Sequence, residues 1–189
     1  LDGGLNSDEF TDCEKSDADI DGNGIANILD IIQLINIILD NRIVDIDFQG
    51  KANIDMQSVN NDLHVKINSD KDFSGVQFNI IGEFTNIDLL NNSHVKLSSK
   101  VDDGITRMVA YSFLNDSFDG HQATFIIKNA SSIDPSNINI TISDRAGSSI
   151  VVTQSMNSDV YQTGPHKFEL TSIYPNPFNP ATEINFSVP

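Results

Sequence analysis

The strongest constraint on folding lies between residues 43 and about 160. Short stretches there alternate apolar with polar residues, and polar turns cut them apart. The stretches are Ile43–Phe48, Asn53–Met56, Leu63–Ile67, Val76–Ile80, Val95–Leu97, Arg107–Phe113, Ala123–Ile127, Ile138–Ile142 and Ile150–Thr153. Turn-forming residues separate them: Asn60-Asn61-Asp62, Ser69-Asp70-Lys71-Asp72, Asn91-Asn92-Ser93, Asp102-Asp103-Gly104, Asp119-Gly120 and Asp144-Arg145-Ala146-Gly147. A period of two hides one face of each stretch and wets the other. About nine such strands, roughly ten residues apart, predict a mainly β chain built as an antiparallel β-sandwich.

Ahead of the strands stands a different pattern. Asp19-Ile20-Asp21-Gly22-Asn23-Gly24-Ile25-Ala26-Asn27-Ile28-Leu29-Asp30 reads D-x-D-x-N-G-x-x-N-x-x-D. Oxygen side chains fall at loop positions 1, 3, 5, 9 and 12, with glycine at 6, the register of an EF-hand calcium loop. A hard divalent cation takes six to eight oxygens, and alternate residues of a tight loop can point inward at it. Asp19, Asp21 and Asn23 would supply side-chain oxygens, Ile25 its backbone carbonyl, Asn27 a direct or water-mediated contact, and Asp30 the closing carboxylate. The expected cofactor is Ca2+.

An apolar helix is expected directly behind the loop, from Ile28 to Leu39. Ile31, Ile32, Leu34, Ile35, Ile37, Ile38 and Leu39 cover most of its circumference, and Asp30, Gln33 and Asn36 form one narrow polar stripe. Such a helix must bury itself against a neighbour, and the β-domain is the nearest candidate. It is too short and too polar to span a bilayer. Residues 2–10 fit positions 5 to 13 of a second calcium loop, with Glu9 as its closing carboxylate. This suggests a chain that begins inside a longer protein. The first forty residues hold ten carboxylates and one base, Lys15. These charges repel one another, so the module should tighten when a cation binds.

The whole chain has 189 residues and a formal charge of −16, with 27 acidic against 11 basic residues. Nucleic acid is excluded as a partner on that balance. Cys13 is the only cysteine, so no internal disulfide or cysteine-based zinc site can form, and the thiol is expected to be unpaired. No signal peptide or transmembrane run is present.

Three resemblances follow from these residues. The calcium loop with Asp at position 12 and a long apolar helix behind it resembles a dockerin repeat over about residues 13–41. It departs at Ile28 and Leu29, where dockerins carry small polar residues that read a cohesin partner. Leu63-His64-Val65-Lys66-Ile67-Asn68-Ser69, Phe73-Ser74-Gly75-Val76-Gln77-Phe78-Asn79-Ile80 and Asp119-Gly120-His121-Gln122-Ala123-Thr124-Phe125-Ile126-Ile127 are similar to strands of the cohesin family. That resemblance implies a jelly-roll or Greek-key sandwich used for adhesion and assembly. Tyr174-Pro175-Asn176-Pro177-Phe178-Asn179-Pro180-Ala181-Thr182-Glu183-Ile184-Asn185-Phe186 closely resembles the opening of the C-terminal sorting domain of bacterial type IX secretion. It implies secretion machinery as a partner and a secreted or outer-membrane surface location.

The expected organisation is a truncated EF-hand-like loop at 1–12, a dockerin-like module at 13–42, a cohesin-like sandwich at 43–160, and a linker with the start of a sorting domain at 161–189. No catalytic constellation is legible. His64, His94, His121 and His166 are scattered, and no nucleophile elbow or phosphate-cradling glycine loop appears. The sequence reads as a non-catalytic, calcium-stabilised structural or adhesion region, with upstream domains of the same protein as its first partners. Two alternatives stand beside it. One is a carbohydrate-binding module or accessory domain of a secreted polysaccharide hydrolase, weakened by the absence of Trp and the presence of three Tyr. The other is a dockerin–cohesin assembly partner.

Overall fold

The computed structural model describes residues 11–40, 49–155, 169–174 and 183–187. Expectations placed on residues 1–10, on Ile43–Phe48, on most of the linker and on the proline run lie outside the described residues.

Two helices precede the strands. α1 spans Asp12–Ala18 and opens with a reciprocal cap, in which Thr11 Oγ1 accepts from Glu14 N (3.3 Å) and Glu14 Oε2 accepts from Thr11 N (2.8 Å). These bonds hold the Glu14 carboxyl below its ordinary value. α2 spans Ile28–Ile38, with Leu39 as its C-cap, one residue short of the expected end.

Nine strands follow in the same unit: β1 Lys51–Val59, β2 Asp62–Ser69, β3 Phe73–Ile81, β4 Ile87–Leu90, β5 Lys96–Asp102, β6 Ile105–Tyr111, β7 Gln122–Ile127, β8 Ile138–Asp144 and β9 Val151–Ser155. They form a five-stranded sheet, β4-β7-β2-β1-β9, and a four-stranded sheet, β5-β6-β3-β8. The fold is thus a mainly β two-sheet sandwich with a small helical module before it, as the alternation predicts. Two details differ. β4 is a strand that the alternation missed, because Ile87-Asp88-Leu89-Leu90 ends on two adjacent apolar residues that break the period. β9 pairs with β1 in parallel, while every other strand pair of the two sheets is antiparallel. β8 belongs to one sheet and β9 to the other, so the turn after Asp144 crosses the sandwich. The hairpin rule for neighbours in one sheet therefore does not apply to β9.

The core lies between the sheets. Val76, Phe78 and Ile80 of β3 meet residues such as Ile54, Val65, Ile67 and Phe125 from the facing sheet, all with essentially no exposure. Phe78 and Phe125 join the two sheets edge to face, with centroids 4.9 Å apart. Phe73 stacks on Phe118 at 4.6 Å. Aromatic pairs of this kind add about 0.5–1.5 kcal/mol beyond the area they bury.

β3 is buried on both faces from Phe73 to Ile80, because α2 lies across β3 and β8 on the outer side of the four-stranded sheet. Gly75 makes that approach possible. A Cβ there would lie 2.7 Å from Ile28 Cγ1 and 2.9 Å from Ile32 Cγ1, so any side chain would push the helix away. Ile28, Leu29, Ile32 and Ile35 are buried.

The polar stripe of α2 also turns inward. Gln33 Nε2 donates to the Gly147 carbonyl (3.4 Å), and Asn36 Nδ2 donates to the Arg145 carbonyl (2.8 Å). Leu34, Ile37 and Ile38 face solvent instead, at 46%, 66% and 71% exposure. This reverses the usual arrangement of a surface helix. The turn after β8 offers the Arg145 and Gly147 carbonyls at that end and the β6–β7 connection offers the Asn115 amide, and those take the polar stripe.

A second unit begins at Ser158. It contains β10, Glu169–Tyr174, paired antiparallel with β11, Glu183–Ser187. Ile184 and Phe186 alternate there with Glu183, Asn185 and Ser187, a period of two that suits a strand with one covered face. β10 lies partly in the stretch read as linker.

Candidate metal centre

The loop from Asp19 to Asp30 folds around its own carboxylates. Asp19, Asp21 and Asp30 each offer an oxygen, and these oxygens lie within 4.8 Å of one another. Among the described residues this is the only group of three or more His, Cys, Asp or Glu side chains placed to hold a metal ion. No ion pair with a base relieves any of the three within the described residues. Two like charges 4 Å apart repel by about 1 kcal/mol in water and about 4 kcal/mol near a protein surface.

Backbone N–H groups hold the arrangement. Asp19 Oδ1 accepts from Asn23 N (3.1 Å), and its Oδ2 accepts from Gly24 N (2.8 Å). Asp21 Oδ1 also accepts from Asn23 N (2.9 Å), and Asn23 Oδ1 accepts from Ile25 N (2.8 Å). Gly24 has φ of +87°, a left-handed conformation that favours glycine, although a Cβ there would meet nothing within 4 Å. The glycine at position 6 is needed for the bend and not for space.

Asp30 is the pivot. It is 3% exposed and sits at the third position of α2. Its Oδ1 accepts from Ile20 N (2.8 Å) and Asp21 N (3.3 Å), and its Oδ2 accepts from Asn27 N (2.8 Å). The same carboxylate thus closes the loop and caps the helix. Asn27 has two tasks as well. Its Oδ1 accepts from Leu29 N (2.8 Å) as the N-cap, and its Nδ2 donates to the Ile25 carbonyl (3.0 Å). The first N–H of α2, on Ile28, donates to Gln77 Oε1 of β3 (3.1 Å). Gln77 is buried and also donates to Asn79 Oδ1 (3.3 Å). Sequence reasoning did not find Gln77. Its only signal was a polar residue at an outward strand position, which ordinarily means a solvated face.

The donor set fits a hard cation: three carboxylates, two side-chain amide oxygens and one backbone carbonyl, with no nitrogen or sulfur ligand among them. The structure brings Asp19, Asp21 and Asp30 together. Asn23, Ile25 and Asn27 line the same loop, bonded to one another or to loop N–H groups.

The other sequence candidates stay apart. Cys13 is exposed and unpaired. His94 Nε2 meets the Ser117 carbonyl (3.1 Å), and His121 pairs with Asp72 (2.9 Å). His166 lies outside the described residues. Among those residues no helix is long and apolar enough to cross a membrane.

No protein-family model matches the chain, and no curated protein matches it in sequence. Two similar solved structures are cohesins. One is a non-cellulosomal cohesin from the hyperthermophilic archaeon Archaeoglobus fulgidus, 14% identical, covering 58% of this chain and 87% of its own, with a TM-score of 0.38. The other is a cohesin module from a family 33 glycoside hydrolase of Clostridium perfringens, 12% identical, covering 57% of this chain and 98% of its own, with a TM-score of 0.34. At scores this low, the class of the protein rests on its own strand order and register.

Proposed function

We propose that the chain is a non-catalytic, calcium-stabilised structural or adhesion region of a secreted or cell-surface bacterial protein. One observation carries the reading. The three carboxylates of a complete calcium-loop register converge within 4.8 Å, unrelieved by any base among the described residues, at the start of the helix that lies on the sandwich. Asp19, Asp21, Asn23, the Ile25 carbonyl, Asn27 and Asp30 would hold Ca2+. The ion would supply the positive charge that the loop lacks, and binding free energy then becomes folding free energy for residues 19–38. Its effect reaches the sandwich through Asp30, the helix cap and the bond from Ile28 to Gln77. Extracellular calcium is abundant, so the site would stay occupied and stiffen a joint. The proline-rich opening at 174–186 supports export by type IX secretion, with the secretion machinery and upstream domains as partners.

Calorimetric titration of the chain with calcium, together with melting curves in calcium and in chelator, tests this. The expected outcome is one bound ion and a higher melting temperature in calcium. Identical melting in both would sink the reading.

One observation weighs against the dockerin–cohesin assembly reading. The helix behind the calcium loop already lies against the four-stranded sheet of the same chain. A partner could use that face only by displacing α2.

A further inference from the structure

We propose that the loop end of the sandwich holds a saccharide subsite, in a cleft between the β4–β5, β6–β7 and β8–β9 connections. The cleft has a volume of about 340 Å³ and is lined by His94, Asp116, Ser117, Asp119 and Arg145. That lies at the small end of the roughly 300–1,000 Å³ typical of ligand clefts.

Its walls are set by buried groups and not by the lining side chains themselves. Asn92 is 5% exposed. Its Oδ1 accepts from Asp119 N (2.8 Å), while its Nδ2 donates to the carbonyls of Leu90 and Gln122. Asn115 is fully buried with φ of +54°, and its Nδ2 donates to the Arg145 carbonyl (2.8 Å). Arg145 Nε returns a bond to the Asn115 carbonyl (3.0 Å). The turn carrying Arg145 is clamped from beneath by Asp144, whose carboxylate accepts from Ala146 N and Ser148 N and pairs with Lys71 at 2.7 Å. Asn115 Oδ1 is buried without a partner, a cost borne in this loop.

The charges select the ligand. Arg145 spends Nε on Asn115, and its terminal nitrogens form no ion pair among the described residues. Asp116 and Asp119 line the same cleft and remain exposed. An anion would meet two carboxylates, and a cation would meet the guanidinium. A neutral hydroxyl both accepts from Arg and donates to Asp, so a polyhydroxyl ligand answers both signs at once. His94 Nε2 must carry the proton it gives to the Ser117 carbonyl, which leaves Nδ1 as an acceptor for a further hydroxyl.

Nitrogen–proton correlation spectra of the full chain, titrated with methyl glycosides of glucose, galactose, mannose and N-acetylglucosamine, test the subsite. At least one glycoside is expected to shift the amides of residues 92–94 and 113–119 and the Arg145 side-chain resonance. Asp119→Asn and Asp116→Asn, both at exposed side chains that line the cleft, should each weaken that response about tenfold with unchanged melting. Three results would overturn the proposal: no shift with any glycoside, shifts that survive both substitutions, or the same shifts produced more strongly by sodium sulfate alone. Asn36 of α2 bonds both Asn115 and the Arg145 carbonyl, so the titrations are run at saturating calcium, where a failed subsite is distinguishable from a change in α2.

Discussion

The sandwich and the module at residues 11–40 are stabilised in opposite ways. The sandwich closes two sheets over a continuous apolar layer, in which Phe78, Phe125, Ile54, Ile67 and Ile142 are completely buried. The module has one layer. α2 buries four apolar side chains and Asp30 on the sheet beneath it, and the loop before α2 is held by N–H bonds to carboxylates. A core of the first kind depends on packing alone. A module of the second kind depends on charge, caps and close approach, so the two regions should separate under perturbation.

The largest expected effect falls on the sandwich. Phe78→Ala removes the ring that joins the sheets and should cost about 3–5 kcal/mol, read as a fall in the global denaturation midpoint in calcium and in chelator alike. If the loss is much smaller in chelator, the two regions are not separate. Next is Asp30→Ala, which frees three backbone N–H groups and removes one proposed calcium ligand. It should cost about 1–3 kcal/mol, confined to residues 19–38 by hydrogen exchange, and abolish any calcium-induced rise in melting. Third is Gly75→Val, which should lift α2 at a cost of about 1–3 kcal/mol while leaving β1–β9 resonances near their native positions. Collapse of the whole spectrum would show that α2 belongs to the sandwich core after all.

The sharpest sequence signals were those with a local cause. Alternation of apolar and polar residues is imposed by the pleat, so eight of the nine sandwich strands overlap stretches legible in the chain, five of them containing the whole stretch, and only β4 escaped. The calcium-loop register is imposed by coordination geometry within twelve residues, and its three carboxylates do converge. Gln77, Asn92, Asn115 and Arg145 were not legible as a group. Their roles depend on partners that lie 27 to 49 residues away along the chain, and no period marks such a meeting.

The smallest effect concerns pH. Asp62 accepts from Asn129 N and pairs with Lys128, and Asp134 accepts from Ser136 N; these bonds hold both carboxyls below their ordinary value. Their contribution is complete above the unfolded carboxylate range and is lost as pH falls through the lowered values. Asp62→Asn should therefore lower the sandwich's stability slightly at neutral pH and leave it unchanged in acid, so that the acid limb of its stability profile flattens. An unchanged acid limb would remove that pair from the account.

α2 divides what the chain determined from what the fold decided. Its existence, its start at Ile28 and its need for a neighbour were written in twelve consecutive residues, because apolar surface is a local property. Which side it presents was not. A helix apolar nearly all round has no preferred face of its own. The orientation came from Gly75 admitting Ile28 and Ile32, from Gln77 taking the Ile28 N–H, and from the carbonyls of Arg145 and Gly147 taking the polar stripe. Those groups come together only when β3, β8 and the turn after β8 are already in place.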